Sequence, residues 1–547
     1  MDIELSVLVG LLCGACSYLV ELPSGLTPLR VLVLVSLSQL LLLKLYRVFI
    51  YPHWVSPIRH LPGPTDGHFF FGQMIKQLLT PGPVDIYLDW MKRWPNEALI
   101  RYLNVANMET ILLNSPAALR EMQQTKAYSF CKPGIAARMF SPITGIGLMF
   151  SEGDVHKRLR GKLSRPFSPN NVKRMLPVFQ GKARELCRVM EQDMNADANK
   201  IVDVEPWFHK AALDILAIAS IGYDLKSLST PVASFYETYD RIIRPERMGH
   251  IITFVDGHIP LRSWLPLPSN RQWHRDNKLI REMLLDKLRL QRAAMQGEKQ
   301  AGSSAPSGGR DLLRFILEDS QILPNEACWE DKELLEVILN FVAGGHETVG
   351  NAFMWSAYAL ATFPEAQAKL FAEIGSLYAG RPTEWEPEFA GIEALPYLNN
   401  FVRELLRVYS PALFLPRQAS EDVTICGTFV PKGTHIIISP SVAHYNPTIW
   451  GADAERFNPD RWDERQAADN APDNHYAFAP FLHGPKGCIA RPFAMLCLKV
   501  VIMEMARAFS FAPRPEDKGK TLEFANPNFT LRPKEALRIV VQKRVVE

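Results

Sequence analysis

The sequence predicts a mainly α-helical fold with small β-sheets, an α+β class, behind an N-terminal transmembrane anchor. Long apolar runs at helical spacing dominate the chain, and the longest, from about Trp329 to Leu360, contains no proline. Short alternating segments bounded by glycine or proline predict the sheets. The apolar N-terminus predicts the anchor.

The N-terminus contains two apolar runs, Ser6 to Val20 and Val31 to Leu43. A helix needs about 20 apolar residues to span a bilayer, so the first run is short. The second run reaches that length only if it continues to Tyr51. We therefore predict an anchor of one or two spans within residues 1–52.

The charges around these runs predict how the chain sits in a membrane. Asp2 and Glu4 stand where a signal peptide has basic residues, which argues against cleavage. Lys44 and Arg47 follow the second run and favour a catalytic domain in the cytosol, since cytosolic flanks are rich in Lys and Arg. A proline-rich hinge is expected over residues 53–64, because proline fixes φ.

The rest of the chain predicts a succession of helices with a few hairpins. Ser115 and Pro116 are typical of a helix start. The glycine- and serine-rich stretch at 296–310 predicts a flexible loop. The segments assigned from periodicity are helices at 170–193, 211–221 and 329–360, hairpins at 98–113 and at 424–440 (centred on Pro431 to Gly433), and a strand-like end at 529–545.

Length, charge and cysteine content limit the possible classes. A chain of 547 residues usually holds three or four domains, but no linker divides this one, so residues 65–547 are expected to form one catalytic domain. The net charge of +3 is too small to indicate a nucleic-acid partner. The eight cysteines are dispersed, and Cys13-x-x-Cys16 has no second pair, which argues against a zinc site.

Cys488 is the most informative residue of the chain. It follows Phe481, Gly484, Lys486 and Gly487 and precedes a helix-like run. A thiolate that ligates haem iron needs a tight turn with backbone N–H groups directed at the sulfur, and the glycines permit such a turn. The alternative is a buried structural cysteine in a loop.

This run resembles the cysteine-pocket signature of the cytochrome P450 family, Phe-x-x-Gly-x-Arg-x-Cys-x-Gly. Lys486 and Ala490 depart from it, standing where the family usually has Arg and Gly. Lysine keeps a cation for a haem propionate but lacks the planar fork of arginine. The resemblance implies heme b with Cys488 as the axial iron ligand and with Phe481, Gly484 and Lys486 beside the cofactor.

A second motif extends the resemblance. Glu404-Leu-Leu-Arg407 is similar to the family's Glu-x-x-Arg. The Pro-Arg pair that ends at Arg417 is similar to the strand that follows this motif in the family. The resemblance implies that Arg417 lies beside the haem. The resemblance implies a buried ion network of Glu404, Arg407 and Arg461. Arg456 is a rival for the third place, and Arg461 is preferred because its flanking proline and tryptophan match the family's pattern.

A third motif lies within the longest helix. Gly344 and Gly345 precede Glu347, Thr348 and Val349, and the run resembles the family's oxygen-binding motif. The resemblance implies that Glu347 and Thr348 relay protons to iron-bound oxygen, while Val349 removes the usual second hydroxyl. The alternative is a glycine pair that serves helix packing.

A fourth motif is His156-x-x-x-Arg160, which resembles the Trp-x-x-x-Arg of many members in a form associated with fungal ones. The i,i+4 spacing places both side chains on one helix face, where both can donate to haem propionates. Other faces of this helix carry a basic stripe of Lys157, Arg158, Lys162 and Arg165. An acidic electron donor could dock on this stripe. The alternative is that the stripe is only a solvated face.

The resemblance also implies where the substrate binds. The stretches expected over the haem are 128–150, 248–267, the helix near Ala343, and 413–415, all rich in apolar residues. They favour an apolar organic substrate such as a terpenoid, a polyketide or a similar secondary metabolite. Ordinary core packing would use the same residue types.

Together these features predict a haem-thiolate monooxygenase of the endoplasmic reticulum membrane. No flavin-binding region is present in the sequence, so NADPH-cytochrome P450 reductase is the expected electron donor, with cytochrome b5 as a further partner and membrane lipid around the anchor. Two alternatives remain open. One is a haem-thiolate isomerase or dehydratase that does not use O2, against which Glu347 and Thr348 argue. The other is a non-enzymatic haem sensor or carrier.

Overall fold

The computed structural model describes residues 27–544 except 197–199, 231–233, 245–246, 259–261, 263–266, 301–310, 323–328, 383, 467–473 and 521. The first predicted membrane run, residues 6–20, lies outside the described residues.

Helices make up most of the described chain. Asp331 and Glu333 lie in the first turn of the longest one, where acidic groups favour the helix N-terminus. The helices are α1 (Pro28–Leu45), α2 (Met74–Leu79), α3 (Asp85–Arg93), α4 (Pro116–Arg120), α5 (Gly134–Thr144), α6 (Gly147–Phe150), α7 (Gly153–Ser164), α8 (Pro169–Lys173), α9 (Leu176–Ala196), α10 (Glu205–Ile221), α11 (Ser234–Ile243), α12 (Arg247–His258), α13 (Pro268–Gln300), α14 (Leu312–Ile322), α15 (Asp331–Thr362), α16 (Pro364–Tyr378), α17 (Phe389–Glu393), α18 (Pro396–Val408), α19 (Pro440–His444), α20 (Pro447–Trp450), α21 (Arg461–Gln466), α22 (Asn474–Ala477) and α23 (Arg491–Ala508).

Three small sheets complete the fold. The largest has the strand order β1-β2-β8-β5-β3, in which only the β2–β8 pair is parallel. The second has the antiparallel order β4-β10-β9, and the third is the β6–β7 hairpin. The strands are β1 (Leu99–Leu103), β2 (Glu109–Leu113), β3 (Phe130–Cys131), β4 (Ile201–Asp203), β5 (Leu415–Ala419), β6 (Val423–Ile425), β7 (Thr428–Val430), β8 (His435–Ile438), β9 (Phe509–Pro513) and β10 (Arg538–Lys543).

The N-terminal helix is long and apolar enough to cross a membrane. Helix α1 continues as a π-helical segment, Tyr46–Val55, so the second apolar run does extend past Tyr51 as a span requires. The stretch Leu29–Val55 has 27 residues, and an 18-residue window within it has a mean hydropathy of 1.8 and contains no buried residue. By length and composition it is a candidate membrane anchor.

The end of this helix is fastened to the β1–β2 hairpin. The Asn107 amide donates to the Val48 carbonyl oxygen at 2.9 Å, and Arg101 Nη2 donates to the Pro52 carbonyl oxygen at 2.5 Å. The boundary expected at residue 52 therefore falls inside a helix whose last turns contact the catalytic domain.

The predicted hairpin at 98–113, the helix begun by Ser115 and the helix at 211–221 are present. The run at 170–193 is two helices, α8 and α9, instead of one. Pro177 explains the break, because proline lacks an N–H and is tolerated only in a first helical turn. The loop expected at 296–310 is helical to Gln300, and residues 301–310 lie outside the described chain.

Two strand predictions need correction. The hairpin at 424–440 turns at Cys426 and Gly427, whose φ angles of 47° and 78° suit a two-residue turn, and not at Pro431 to Gly433. The strand after that proline, β8, pairs with β2 and β5 instead. Of the strand-like end at 529–545, which the structure describes as far as residue 544, only Arg538–Lys543 forms a strand of the sheet.

Helix α15 runs through the centre of the molecule. One hydrophobic cluster packs α9, α10, α18 and α23 around its second half. A second cluster packs α7, α11, α13 and α14 around its first half. The helix is thereby fixed on several sides, and the loop that contains Cys488 leads into α23, which belongs to the same core.

Candidate active site

The loop before α23 holds Cys488 in a tight turn. The Cys488 N–H donates to the Phe481 carbonyl oxygen at 2.8 Å, and the Gly487 N–H donates to the Gly484 carbonyl oxygen at 3.0 Å. Gly484 has a φ of 68°, and a Cβ there would overlap the carbonyl oxygen of Gln123. Both the conformation and the close approach require glycine at this position.

The Cys488 side chain is accessible although protein atoms surround it. Burial raises the pKa of the Cys488 thiol, while the backbone N–H groups of Ala490 and Arg491 and the charge of Arg160 act against that rise. The side chain is nevertheless exposed. A residue that is surrounded by protein and still accessible faces an enclosed space. The N–H groups at the start of α23 point at this sulfur and stabilise a thiolate.

A single thiol suits a metal ion whose other ligands come from a cofactor and not from the protein. Among the described residues, no group of three or more His, Cys, Asp or Glu side chains could hold a metal ion. A single thiolate binds iron firmly when the other ligands come from a porphyrin. The arrangement around Cys488 therefore fits haem.

A cluster of largely buried cations lies beside the cysteine loop. Arg417 and Lys486 both act electrostatically on Lys132, and Lys132, Lys486 and Arg160 all act on His156. The acidic residue that contacts this cluster is Glu152, which pairs with Lys486 Nζ and, at 3.2 Å, with Lys132 Nζ. Four cations facing one carboxylate leave positive charge that is costly to bury. The two propionates of a haem would balance it.

Burial and the neighbouring cations both shift pKa values in this cluster, burial more strongly. Burial lowers the pKa of Lys132 to about 8, with Arg417 adding to the fall and Glu152 opposing it. Burial lowers the pKa of His156 to about 4, with further lowering by Lys132 and Lys486. His156 is therefore neutral at pH 7, and its Nδ1 lies 3.2 Å from the Tyr128 hydroxyl.

Two of the predicted propionate ligands also hold the cysteine loop. Arg160 Nη1 donates to the Gly487 carbonyl oxygen at 2.6 Å, which ties α7 to the turn around Cys488. Lys486 Nζ donates to the Phe130 carbonyl oxygen at 2.7 Å. The contacts of His156, Arg160 and Lys486 with a propionate remain predictions.

The sequence did not single out Lys132 or Glu152. Lys132 lies in the stretch expected to line the substrate pocket, directly before a proline. Glu152 directly precedes α7, and its Oε1 accepts the Lys132 backbone N–H at 2.8 Å. The only sequence signal for a functional role of Lys132 was its position as a lone lysine in an apolar stretch. No local sequence pattern indicated a role for Glu152.

Helix α15 presents Glu347 and Thr348 at partly exposed positions among buried neighbours. The Thr348 hydroxyl donates to the Gly344 carbonyl oxygen at 2.6 Å. Glu347 Oε1 accepts from the Thr530 hydroxyl at 3.0 Å. A Cβ on Gly345 would meet Leu216 Cδ2 at 2.6 Å, so this glycine serves packing between α10 and α15. The alternative weighed from the sequence therefore holds for Gly345.

Glu404 is the centre of a buried ion network. Arg407 donates to its two carboxylate oxygens at 2.8 Å each, and Arg461 Nε donates at 3.1 Å. Trp462 Nε1 completes the side-chain contacts at 3.0 Å. Arg456 contributes its carbonyl oxygen as an acceptor for Arg407, so Arg461 and not Arg456 holds the third place.

An aromatic group joins separate segments of the expected substrate pocket. The Phe529 ring lies 4.8 Å from that of Phe140 and 5.7 Å from that of Phe414. Phe529 is 49% exposed, an unusual position for a large aromatic. Its segment had been expected only as strand, so its place beside these residues comes from the tertiary fold. Parts of the expected 248–267 stretch lie outside the described residues.

A groove of about 440 Å³ lies beside the cysteine loop, lined in part by Phe478 and Phe481. Arg403, Arg491 and Lys499 add positive charge to its wall. Lys499 is paired with Glu393 at 2.7 Å. A groove with basic walls next to the cysteine loop suits an acidic protein surface.

Comparisons with known proteins agree with this geometry. The family model described as Cytochrome P450 matches residues 62–540. The chain is 32% identical over 495 residues to the cytochrome P450 monooxygenase sphH of Aspergillus fumigatus, covering 88% of each chain. It is 28% identical to the cytochrome P450 monooxygenase FUM15 of Gibberella moniliformis, covering 85% of each chain. It is 27% identical to the cytochrome P450 monooxygenase buaD of Petromyces alliaceus, covering 94% of this chain and 93% of the relative.

Proposed function

The chain belongs to the cytochrome P450 family and is a haem monooxygenase, and from this premise we propose that it inserts one oxygen atom from O2 into an apolar secondary metabolite with electrons from NADPH. The observation that carries the proposal is the accessible Cys488 side chain beside a cluster of largely buried cations. The thiol suits iron, and the cations suit two carboxylates.

Heme b, when bound, supplies the iron on which O2 is activated. The overall change is R–H + O2 + NADPH + H⁺ → R–OH + H2O + NADP⁺. Cys488 would hold the iron through its thiolate. Lys132, Arg160, Arg417 and Lys486 would hold the two propionates through charge-assisted hydrogen bonds.

Glu347 and Thr348 supply protons for the reaction in this proposal. The Thr348 hydroxyl is anchored to the Gly344 carbonyl and can accept a hydrogen bond from water. Glu347 holds and passes the proton, and its carboxylate is fixed by Thr530. This acid and alcohol pair favours oxygenation over an oxygen-independent rearrangement.

An apolar substrate is supported by the lining of the expected pocket. Phe140, Phe414 and Phe529 form a connected aromatic surface, and Met149 Cε lies 3.2 Å from the place of a Cβ on Gly344. Such surfaces bind apolar molecules mainly by desolvation. Terpenoids and polyketides have this character.

The partners follow from the anchor and the groove. The helix Leu29–Val55 would hold the enzyme in the endoplasmic reticulum membrane with the catalytic domain in the cytosol. NADPH-cytochrome P450 reductase would dock at the basic groove beside the cysteine loop and deliver electrons. Cytochrome b5 is a second donor that could use the same surface.

The test uses full-length protein in microsomes with the reductase, NADPH and ¹⁸O2. A panel of terpenoid and polyketide metabolites is screened by mass spectrometry for products that carry one labelled oxygen. Products without label would indicate rearrangement and contradict oxygenation.

Two cysteine variants serve as a matched pair in this test. Cys488→Ala should lose labelled product and the thiolate-type carbon monoxide spectrum. Cys497→Ala should keep both, since Cys497 is a buried thiol within α23. Retention of the spectrum by Cys488→Ala would contradict the ligand assignment.

A further inference from the structure

A group of buried polar side chains beside Glu347 lacks hydrogen-bond partners. Among the residues that the structure describes, both ring nitrogens of His209 and His346, both amide atoms of Asn351 and the Tyr239 hydroxyl make no hydrogen bond of standard geometry, although the Asn351 amide lies close enough to His209 to raise its pKa slightly. All four side chains are at most 1% exposed. Leaving such an atom unpaired costs about 1–3 kcal/mol. Buried groups of this kind are usually paired with ordered water.

These side chains come from three different helices and meet at one place. The His209 ring on α10 lies 5.2 Å from the His346 ring on α15, and the Tyr239 ring on α11 lies 5.5 Å from His346. A Cβ on Gly350 would meet His209 Nδ1 at 2.5 Å, so a glycine clears the space that His209 fills. The three helices thus bring these polar side chains together, and we call the group that they form the polar pocket.

A chain of ion pairs connects Glu347 with the surface. Glu347 Oε1 lies 3.8 Å from Arg532 Nη1, and Arg532 contacts Glu205. Glu205 Oε1 lies 3.1 Å from Arg244 Nη2, and Arg244 Nε lies 3.2 Å from Asp240 Oδ1. The Asp240 side chain is 31% exposed. Each step lies within reach of a direct or water-mediated hydrogen bond.

The polar pocket lies next to this series of ion pairs. His209 Nε2 lies 3.8 Å from Glu205 Oε1, and burial together with the charge of Glu347 raises the pKa of Tyr239.

Both histidines of the pocket are neutral at pH 7. Burial lowers the pKa of His346 to about 3, with Arg244 and Arg532 adding to the fall. Burial lowers the pKa of His209 well below its ordinary value, with His346 and the same two arginines contributing. A neutral imidazole offers one donor and one acceptor, so each ring can bind water from both sides.

We propose that the pocket of His209, His346, Asn351 and Tyr239 holds ordered water that carries protons from solvent, by way of the carboxylates of Asp240 and Glu205, to Glu347. Arg244 and Arg532 stay charged and hold these carboxylates in place without passing a proton. The proposal rests on the proposed role of Glu347. Each turnover consumes one O2, two electrons and two protons to give R–OH and H2O, so a supply route for two protons is required. His209 and Asp240 act through Glu347 and are positioning residues.

The experiment follows NADPH oxidation by the haem-loaded full-length enzyme with its reductase, with no organic substrate added, in H2O and in D2O. Under these conditions O2 + NADPH + H⁺ gives peroxide, and O2 + 2 NADPH + 2 H⁺ gives two waters. NADPH, O2 and peroxide are measured together. We expect His209→Leu to raise both the peroxide formed per NADPH and the solvent isotope effect about twofold or more, because a slowed proton supply favours release of peroxide.

Further variants separate proton supply from folding. His209→Gln restores hydrogen bonding to water and should recover the wild-type ratio. Asp240→Asn tests the partly exposed end of the chain, where folding is not at risk, and should shift the ratio in the same direction. Ser220→Ala, on the same helix as His209, removes a buried hydroxyl that donates to a carbonyl oxygen of its own helix. It should leave the peroxide formed per NADPH and the solvent isotope effect unchanged.

A crystal structure of the haem-loaded enzyme provides a readout that does not depend on turnover. We expect water density within hydrogen-bond distance of the ring nitrogens of His209 and His346. A dry pocket would overturn the proposal, and so would wild-type behaviour of both His209→Leu and Asp240→Asn. Wild-type enzyme that consumes no O2 with NADPH and reductase would instead refute the proposed monooxygenase function.

Discussion

Replacing Glu404 by glutamine should destabilise the haem-binding fold severely. The carboxylate accepts five hydrogen bonds, two from Arg407 and one each from Arg461, Trp462 and the Asn458 backbone N–H. Glu404 and Arg407 are fully buried. The Glu404→Gln change keeps the volume but removes the negative charge and turns a donor toward a guanidinium.

The magnitude follows from the burial of the partners. Breaking a buried pair by removing one charge costs about 3–5 kcal/mol, because the other charge stays buried without compensation. Two guanidinium groups share this carboxylate, which places the cost at the upper end of that range. A protein of ordinary stability has about 5–15 kcal/mol in total. The change would therefore remove a third or more of the stability.

The assay follows the thiolate-type carbon monoxide spectrum of reduced protein during heating at a fixed temperature. We expect the half-life of Glu404→Gln to fall by about tenfold or more, since 1.4 kcal/mol corresponds to a tenfold change. Glu523→Gln is the matched control, because Glu523 forms a largely exposed pair with Lys534 and such pairs add little. A half-life of Glu404→Gln equal to that of the control would refute the reasoning.

Three further predictions concern proton delivery, cofactor affinity and the anchor. Thr348→Ala should keep haem and substrate binding but divert much of the NADPH oxidation into peroxide, as measured by NADPH, peroxide and product together; unchanged coupling would argue against Thr348 as part of the relay. Lys132, with its pKa lowered to about 8 in the haem-free protein, loses its charge above that pH, so haem affinity should fall by up to about tenfold per pH unit above about pH 8. Lys132→Arg should abolish this fall because a guanidinium stays charged, and haem titrations at about pH 7, 8 and 9 check it. Removal of residues 1–45 should shift the protein to the soluble fraction with haem retained, whereas removal of 1–56 also deletes the contacts of Val48 and Pro52 with the β1–β2 hairpin and should lower haem content. Equal haem content in the two truncations would show that those contacts do not support the fold.

The family and the general fold could be predicted from the sequence because their signals are local. The turn around Cys488 needs Gly484 and Gly487 within a few positions of the sulfur, and a helix follows directly. Glu404 and Arg407 lie one helical turn apart, so their pairing follows from spacing alone. The central helix was recognisable because no proline interrupts its apolar run.

Strand pairing was less predictable. The turn at Cys426 and Gly427 competes with a stronger-looking one at Pro431 to Gly433, and the choice depends on β8 finding partners in β2 and β5. Strand partners lie far apart in the chain, and their pairing depends on the whole sheet.

The sequence by itself determined the family, the candidate thiolate ligand, the central helix and the candidate anchor, since each depends on neighbouring residues. Only the tertiary structure decided that Lys132 and Glu152 belong to the cation cluster, that Arg461 and not Arg456 contacts Glu404, and that His209 meets His346. Electrostatic and packing interactions act over a few ångströms in space, whatever the separation along the chain. The residues that set them become neighbours only when the helices pack.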